Sequence, residues 1–314
     1  LIRRSRLKTT SSYSEILMRT VKIKKAGIKV PNSTAFQHTT PPEMPRCPCN
    51  VIAVARRGGG KSVAISNLTR MMEFDRVFLI SPTAKSNYSI LQPLGIDEED
   101  IYEDLNDPQI LNHVIDKVNA ERDEYVEFLD AKKRHAKFSK MLDNGGRIPD
   151  ELLEEFYHDE DFRAPKYKYG NRMPKMCLIV DDCQNSKVFS GKLFPSLVIK
   201  HRHTAQIPKE HGGGALGLSL MIMAQNYRSQ GGGGLPKSVR NNATQVLLFK
   251  NYSDKEKAFV SEELAFTDDK QKFIDMWDSV CDSSPHAFLM VDLNKKPHHI
   301  SPYRKNFDEF IMME

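Results

Sequence analysis

The sequence predicts an α/β fold, a largely parallel sheet flanked by helices and enlarged by a helical insertion. Three observations predict it. Short continuous apolar runs rich in Val, Ile and Leu recur along the 314 residues, as strands buried on both faces require. Stretches with helical apolar spacing separate them. The first run passes through a glycine-rich turn directly into a helical pattern.

Bulk properties narrow the class. The chain carries 28% charged residues and a net charge of +5, which permits a polyanionic partner. Five scattered cysteines argue against a disulfide framework and for a reducing compartment. Cys47 and Cys49 lack a second such pair, so they read as ordinary thiols and not as a zinc site. No apolar run approaches the ~20 residues of a membrane span. Residues 1–25 show no apolar core of a signal peptide.

The expected organisation is an arm and linker over 1–45, one main domain over 46–300 with its insertion at about 96–170, and a tail over 301–314. Residues 1–30 hold nine Lys or Arg against one acid, Glu15. That composition suits either a solvated basic arm or a segment that touches nucleic acid or a neighbouring subunit. Pro41, Pro42 and Pro45 exclude helix and mark a linker.

Residues 50–65, NVIAVARRGGGKSVAI, are strand, glycine loop and helix in the order a phosphate-binding loop demands. Successive backbone N–H groups and a helix N-terminus attract an anion. Arg57, Gly58, Gly59, Gly60, Lys61, Ser62 and Val63 are the expected phosphate contacts. Lys61 would reach the β- and γ-phosphates of a nucleotide, and Ser62 would offer its hydroxyl to Mg²⁺. Ala55 stands where the motif usually begins with glycine.

Residues 63–74 form the helix behind the loop. Residues 76–81 read as a buried strand ended by Pro82 and lying near the loop strand. The acidic stretch 96–104 opens the insertion, and Asp107-Pro108 is a good helix start. Ile110, Val114, Val118, Tyr125 and Leu129 keep helical spacing to about Met141, with a basic run from Lys132 to Lys140. A second helix is expected over about 150–157, then a polar stretch over 163–173.

Residues 176–182, MCLIVDD, are a central strand ending in two acids, about 120 residues beyond the loop. Asp181 is expected to hold Mg²⁺, directly or through water, and Asp182 to orient and polarise the attacking water. Residues 218–226 form another buried strand, ending in Gln225, whose amide can bond the γ-phosphate or the lytic water. Glycine tracts at 212–214 and 231–234 flank it and read as mobile loops. Strands over 244–250 and 286–293 frame helices at about 254–264 and 268–281.

Segments 55–62, 76–82 and 178–182, the triplet His201-Arg202-His203, the pair Ala224-Gln225 and the run Val239-Arg240-Asn241 occur in a familiar order. In these the chain resembles the DNA-packaging ATPases of the FtsK/HerA superfamily, in particular the poxvirus-type ATPase of large double-stranded DNA viruses and virophages. The resemblance spans about residues 45–295. It implies a RecA-like core that uses ATP and Mg²⁺. It implies a homo-oligomeric ring, pentamer or hexamer, that pumps double-stranded DNA of any sequence into a preformed capsid. A capsid protein at the packaging vertex, and residence in the host cytoplasm, a viral factory or the virion, go with it. In such rings one subunit's arginine often completes its neighbour's site. Arg202 is the first choice, Arg240 the second and Arg228 the third. The residue after the metal acid is often Glu in the superfamily and is Asp182 here. DNA contacts are expected on the loops 201–217 and 230–237, which carry Lys209 and Lys237. A P-loop nucleoside or nucleotide kinase, and a nucleotide-gated scaffold that binds DNA or capsid protein, stay open as alternatives.

Overall fold

Alternation explains the architecture. In β1 (Asn50–Val54) the side chains of Ile52 and Val54 enter one apolar cluster, and those of Val51 and Ala53 enter another. β4 (Met176–Asp181) and β5 (Ser219–Ala224) divide in the same way. Successive strand residues point to opposite faces, so a run apolar at every position is buried on both. The result, in a computed structural model that describes residues 38–87, 89, 92–145, 150, 164–184, 186–228, 234–251 and 253–312, is an α/β sheet with helices on both faces. The described residues all fall in the compact unit Thr34–Glu314. The basic arm over 1–30, most of the expected helix over 150–157 and the glycines 231–233 lie outside them.

Among the described residues the sheet has nine strands in the order β3-β2-β4-β5-β1-β6-β7-β8-β9. β2 is Arg76–Ile80, β3 Ile101–Tyr102 and β6 Gln245–Leu248, and the six strands from β3 to β6 are parallel. β7 (Leu289–Asp292), β8 (Tyr303–Lys305) and β9 (Glu309–Phe310) extend the sheet antiparallel.

Three expectations are corrected here. β2 shares the sheet with the loop strand, but nearness stops short of pairing, because β4 and β5 stand between them. The acidic stretch 96–104 contains the edge strand β3, which is too short to show alternation. Residues 301–312, the described part of the expected tail, are not a tail: β8 and β9 are part of the sheet, and Arg304 is 1% exposed. Its guanidinium donates to the carbonyl of Glu43 (2.6 Å), and Lys296 Nζ donates to that of Pro41 (2.7 Å). The proline-rich linker is thus held by its carbonyls against the far edge of the sheet.

Helix α1 (Lys61–Met72) buries Ala64, Ile65, Leu68 and Met72, one stripe at helical spacing, against the Val51 face. Burying a side chain such as Leu68 stabilises the fold by ~2 kcal/mol. The crossover helix α2 (Ile110–Asp143) packs Ile110, Leu111, Val114 and Val118 on the other face, then carries the buried acid Glu121. Arg76 of β2 reaches Glu121 at 2.9 Å and Asp100 at 2.7 Å, and Lys168 also pairs with Glu121. Loss of either partner would leave a charge uncompensated in the interior. After β4 come α3 (Lys187–Ser190) and α4 (Leu193–Lys200), and after β5 comes α5 (Lys237–Arg240). Helices α6 (Asp254–Leu264) and α7 (Lys270–Asp282) are N-capped by the side chains of Ser253 and Asp269.

The glycines at 212–214 do not form a loose loop. Ile207 N–H bonds Gly214 C=O (2.9 Å) and Leu216 N–H bonds Ala205 C=O (3.0 Å), closing a hairpin. His211 of that hairpin lies 3.5 Å from Asp130 of α2. A glycine tract in the sequence suggests mobility, whereas here the positive φ, for example 99° at Gly212, is what the tight turn requires.

Candidate nucleotide site

The site stands at the carboxyl ends of β1, β5 and β4, where parallel strands leave a crevice. After β1 the chain turns sharply. Gly59 N–H bonds Arg56 C=O (3.1 Å), and Gly58 and Gly60 have φ of 78° and 98°. A Cβ on Gly59 would stand 2.8 Å from the Cβ of Ala55 and 3.1 Å from the Arg56 carbonyl. The loop therefore excludes any side chain at Gly59, and the Ala55 methyl is already part of the contact. Arg57 and Val63 are exposed, while Ser62 is half-buried in the first turn of α1.

Among the described residues no side chain caps the N-terminus of α1, which leaves its first N–H groups to an outside acceptor. Lys61 lies back across the loop and donates to the carbonyls of Ala55 (2.6 Å) and Arg56 (3.3 Å). Burial lowers the pKa of its ammonium below the ordinary lysine value, against the opposing pull of Asp181 and Asp182. An uncapped helix start, a cradle with no room for a Cβ and a half-buried ammonium together fit a polyphosphate.

Asp181 ends β4 and is 6% exposed. Burial raises its carboxyl pKa to about 6, the neighbouring Asp182 adds to the rise, and Lys61 opposes it. Asp182 turns out of the strand with φ 52°, a left-handed conformation that few non-glycine residues adopt. The turn brings its Oδ1 to the Gln225 amide, whose Nε2 donates at 2.7 Å. Carboxylate and hydroxyl oxygens are the hard donors Mg²⁺ prefers, so Asp181, Asp182 and Ser62 are a donor set of the right chemistry.

β5 lies between β1 and β4, and Gln225 is its first residue beyond the strand end. Ala55 N–H bonds Ala224 C=O (3.1 Å), tying the loop's start to the end of β5. Gln184 completes the arrangement. Its Oε1 accepts from Gln225 N–H (2.8 Å), and its Nε2 donates to Asn226 C=O (3.1 Å). Sequence reasoning missed Gln184. Its one signal, an amide three residues beyond the acid, is too common to act on.

The arginines separate by position. Arg202 follows His201, whose carbonyl accepts from Leu218 N–H (2.8 Å) just before β5 begins. Six strand residues at ~3.3 Å each put that point roughly 20 Å from the carboxyl ends. The first-choice arginine is therefore at the opposite end of the sheet from the loop. Arg240 is 8% exposed, forms a forked pair with Glu263 (3.0 Å twice) and donates to Leu235 C=O (2.6 Å). That guanidinium is committed within its own subunit. Arg228 is exposed three residues beyond Gln225, with its guanidinium 4.1 Å over the Phe259 ring. Both corrections come from strand direction and burial, which residue spacing does not reveal. Lys209 lies on the hairpin at the amino end of β5, also far from the loop, and Lys237 opens α5.

No protein-family model and no curated protein matches the chain. Among solved structures, it is similar to the genome packaging NTPase of Sulfolobus turreted icosahedral virus 2 in complex with sulfate. The identity is 13% and the TM-score 0.39, over 85% of this chain and 98% of that one. It is also similar to the pCW3 conjugation coupling protein TcpA at 10% identity and TM-score 0.41, over 79% of this chain and 58% of that one. Likenesses of this size leave the chemistry to be argued from the chain's own residues.

Proposed function

We propose that this protein is an ATP-hydrolysing motor that moves double-stranded DNA, working as a homo-oligomeric ring that packages a viral genome into a capsid in the host cytoplasm or a viral factory. The observation that supports it most directly is the 2.7 Å bond from Gln225 to Asp182. It joins the residue placed to sense a γ-phosphate to the acid placed to orient water, on neighbouring strands beside the loop. A transferase acting on a small acceptor has no need to link those two groups. A motor that must report hydrolysis to the rest of the ring does.

In this reading the N–H groups of α1 and the Lys61 ammonium hold the triphosphate. Asp182 positions water in line with the γ-phosphoryl group, and Lys61 offsets the charge that builds there. Asp181 and Ser62 would hold Mg²⁺, which supplies further charge neutralisation on the phosphate oxygens. Gln225 and Gln184 carry the state of the site into the loop that follows β5. DNA is held through its phosphates, as sequence-independent transport requires.

Duplex DNA should stimulate ATP turnover, and the log of the DNA affinity should fall linearly with log salt. Lys209→Ala should reduce that slope by about one if Lys209 touches a phosphate. Turnover indifferent to DNA at all salt concentrations would reject the motor and favour a kinase.

Arg228 takes the place first given to Arg202 as the arginine that acts on a neighbour's γ-phosphate. It is exposed and close in sequence to the end of β5. Arg228→Ala subunits should bind ATP normally but lose on the order of 10³-fold in rate. Mixing them with Lys61→Ala subunits, which keep the arginine, should restore part of the turnover. Parent-level hydrolysis by pure Arg228→Ala protein would remove it from this role.

A further inference from the structure

The groups that face the γ end of a nucleotide, Asp181, Asp182 and Gln225, all lie on the β4–β5 side of β1. A triphosphate lying along the loop with its γ end there directs its nucleoside toward the other side, over β6 and β7. The alternation of β7 determines what waits there. Leu289 and Val291 enter the cluster on the α2 face. Met290 and Phe288 enter the cluster that holds α1. Two residues earlier, in the turn that leads into β7, His286 stands against Gly60 at the N-terminus of α1.

The contact is close. A Cβ on Gly60 would stand 3.3 Å from both Cβ and Nδ1 of His286. The missing Cβ at Gly60 is what lets the imidazole approach the loop backbone, while the residue as a whole remains exposed. Its mounting is firm. Phe288 N–H bonds the Asn306 side chain (3.2 Å), Asn306 N–H bonds Phe288 C=O (2.9 Å), and Ala287 N–H bonds Ser284 C=O (3.2 Å). The Phe288 ring is packed between Phe249 (5.0 Å) and Phe307 (4.9 Å).

We propose that His286 is the base-binding wall of the nucleotide site, its imidazole stacking on the heteroaromatic base of a nucleoside di- or triphosphate. This rests on the reading of residues 55–62 as a phosphate-binding loop. An aromatic ring offers a base a flat partner whatever its hydrogen-bonding edge, so the residue contributes affinity for nucleotides over inorganic polyphosphate. Loss of one stacking partner corresponds to about tenfold in affinity.

The test is equilibrium binding of ADP and of inorganic tripolyphosphate, which has no base, to the parent chain, His286→Ala and His286→Phe. ADP binding should weaken about tenfold in His286→Ala and be kept in His286→Phe, with tripolyphosphate binding equal in all three. Equal loss of both ligands in His286→Ala would place the imidazole on the phosphates and overturn the proposal. Unchanged ADP binding in His286→Ala, or a Phe variant as weak as the Ala variant, would also overturn it. A parent chain that binds neither ligand would instead reject the phosphate-loop reading, and the proposal with it.

Discussion

Lys61→Ala should lower ATP hydrolysis on the order of 10³-fold. The ammonium has two duties that alanine cannot share. It bridges the Ala55 and Arg56 carbonyls and so ties the start of the loop to the first turn of α1. In the proposed reaction it would also supply positive charge where the transferring phosphoryl group becomes more negative. Partial burial lowers the pKa of this ammonium below that of a surface lysine. Single-turnover hydrolysis at saturating ATP separates the two duties. If only loop closure mattered, saturation would restore the rate. A rate within tenfold of the parent would sink the assignment of Lys61 to catalysis.

Asp181→Asn should abolish Mg²⁺-dependent hydrolysis and, at the same time, stabilise the metal-free protein. A carboxyl whose pKa rises from 3.8 to about 6 on folding binds a proton more tightly in the native chain than in the unfolded one. Between those values the native state carries the extra proton, so stability falls as pH rises through the window and stays lower above it. The difference corresponds to about 3 kcal/mol at full ionisation. Asparagine is isosteric and never ionises, so the variant should lack this pH slope and be the more stable of the two at pH 7.5. Denaturant titrations from pH 4 to 8 measure it. Added Mg²⁺ should recover stability in the parent and not in the variant. An Asn variant as Mg²⁺-responsive as the parent would show that the metal is held elsewhere.

The elements legible in advance were those with strong local signals. Residues 50–65 show both the loop and its flanking strand and helix, because glycine, lysine and serine at that spacing have few other uses. The strand before Asp181 and the one before Gln225 were legible as uninterrupted apolar runs. β3 was missed because two residues carry no period, and β8 and β9 because short antiparallel strands near a chain's end resemble a polar tail.

The residue chemistry of the site was therefore present in local sequence: which groups can bind phosphate, which can bind a metal and which can orient water. Strand order was not. Whether β4 or β5 lies next to β1 depends on which crossover buries more apolar surface, a contest among segments more than a hundred residues apart in the chain. That contest sets Gln225 between loop and acid, carries Arg202 to the far end of the sheet, encloses Arg240 with Glu263 and lays His286 on Gly60. A side chain's reach is only a few ångströms, so its role follows from the strand end or helix face that holds it. Packing assigns that place, and residue spacing along the chain does not encode it.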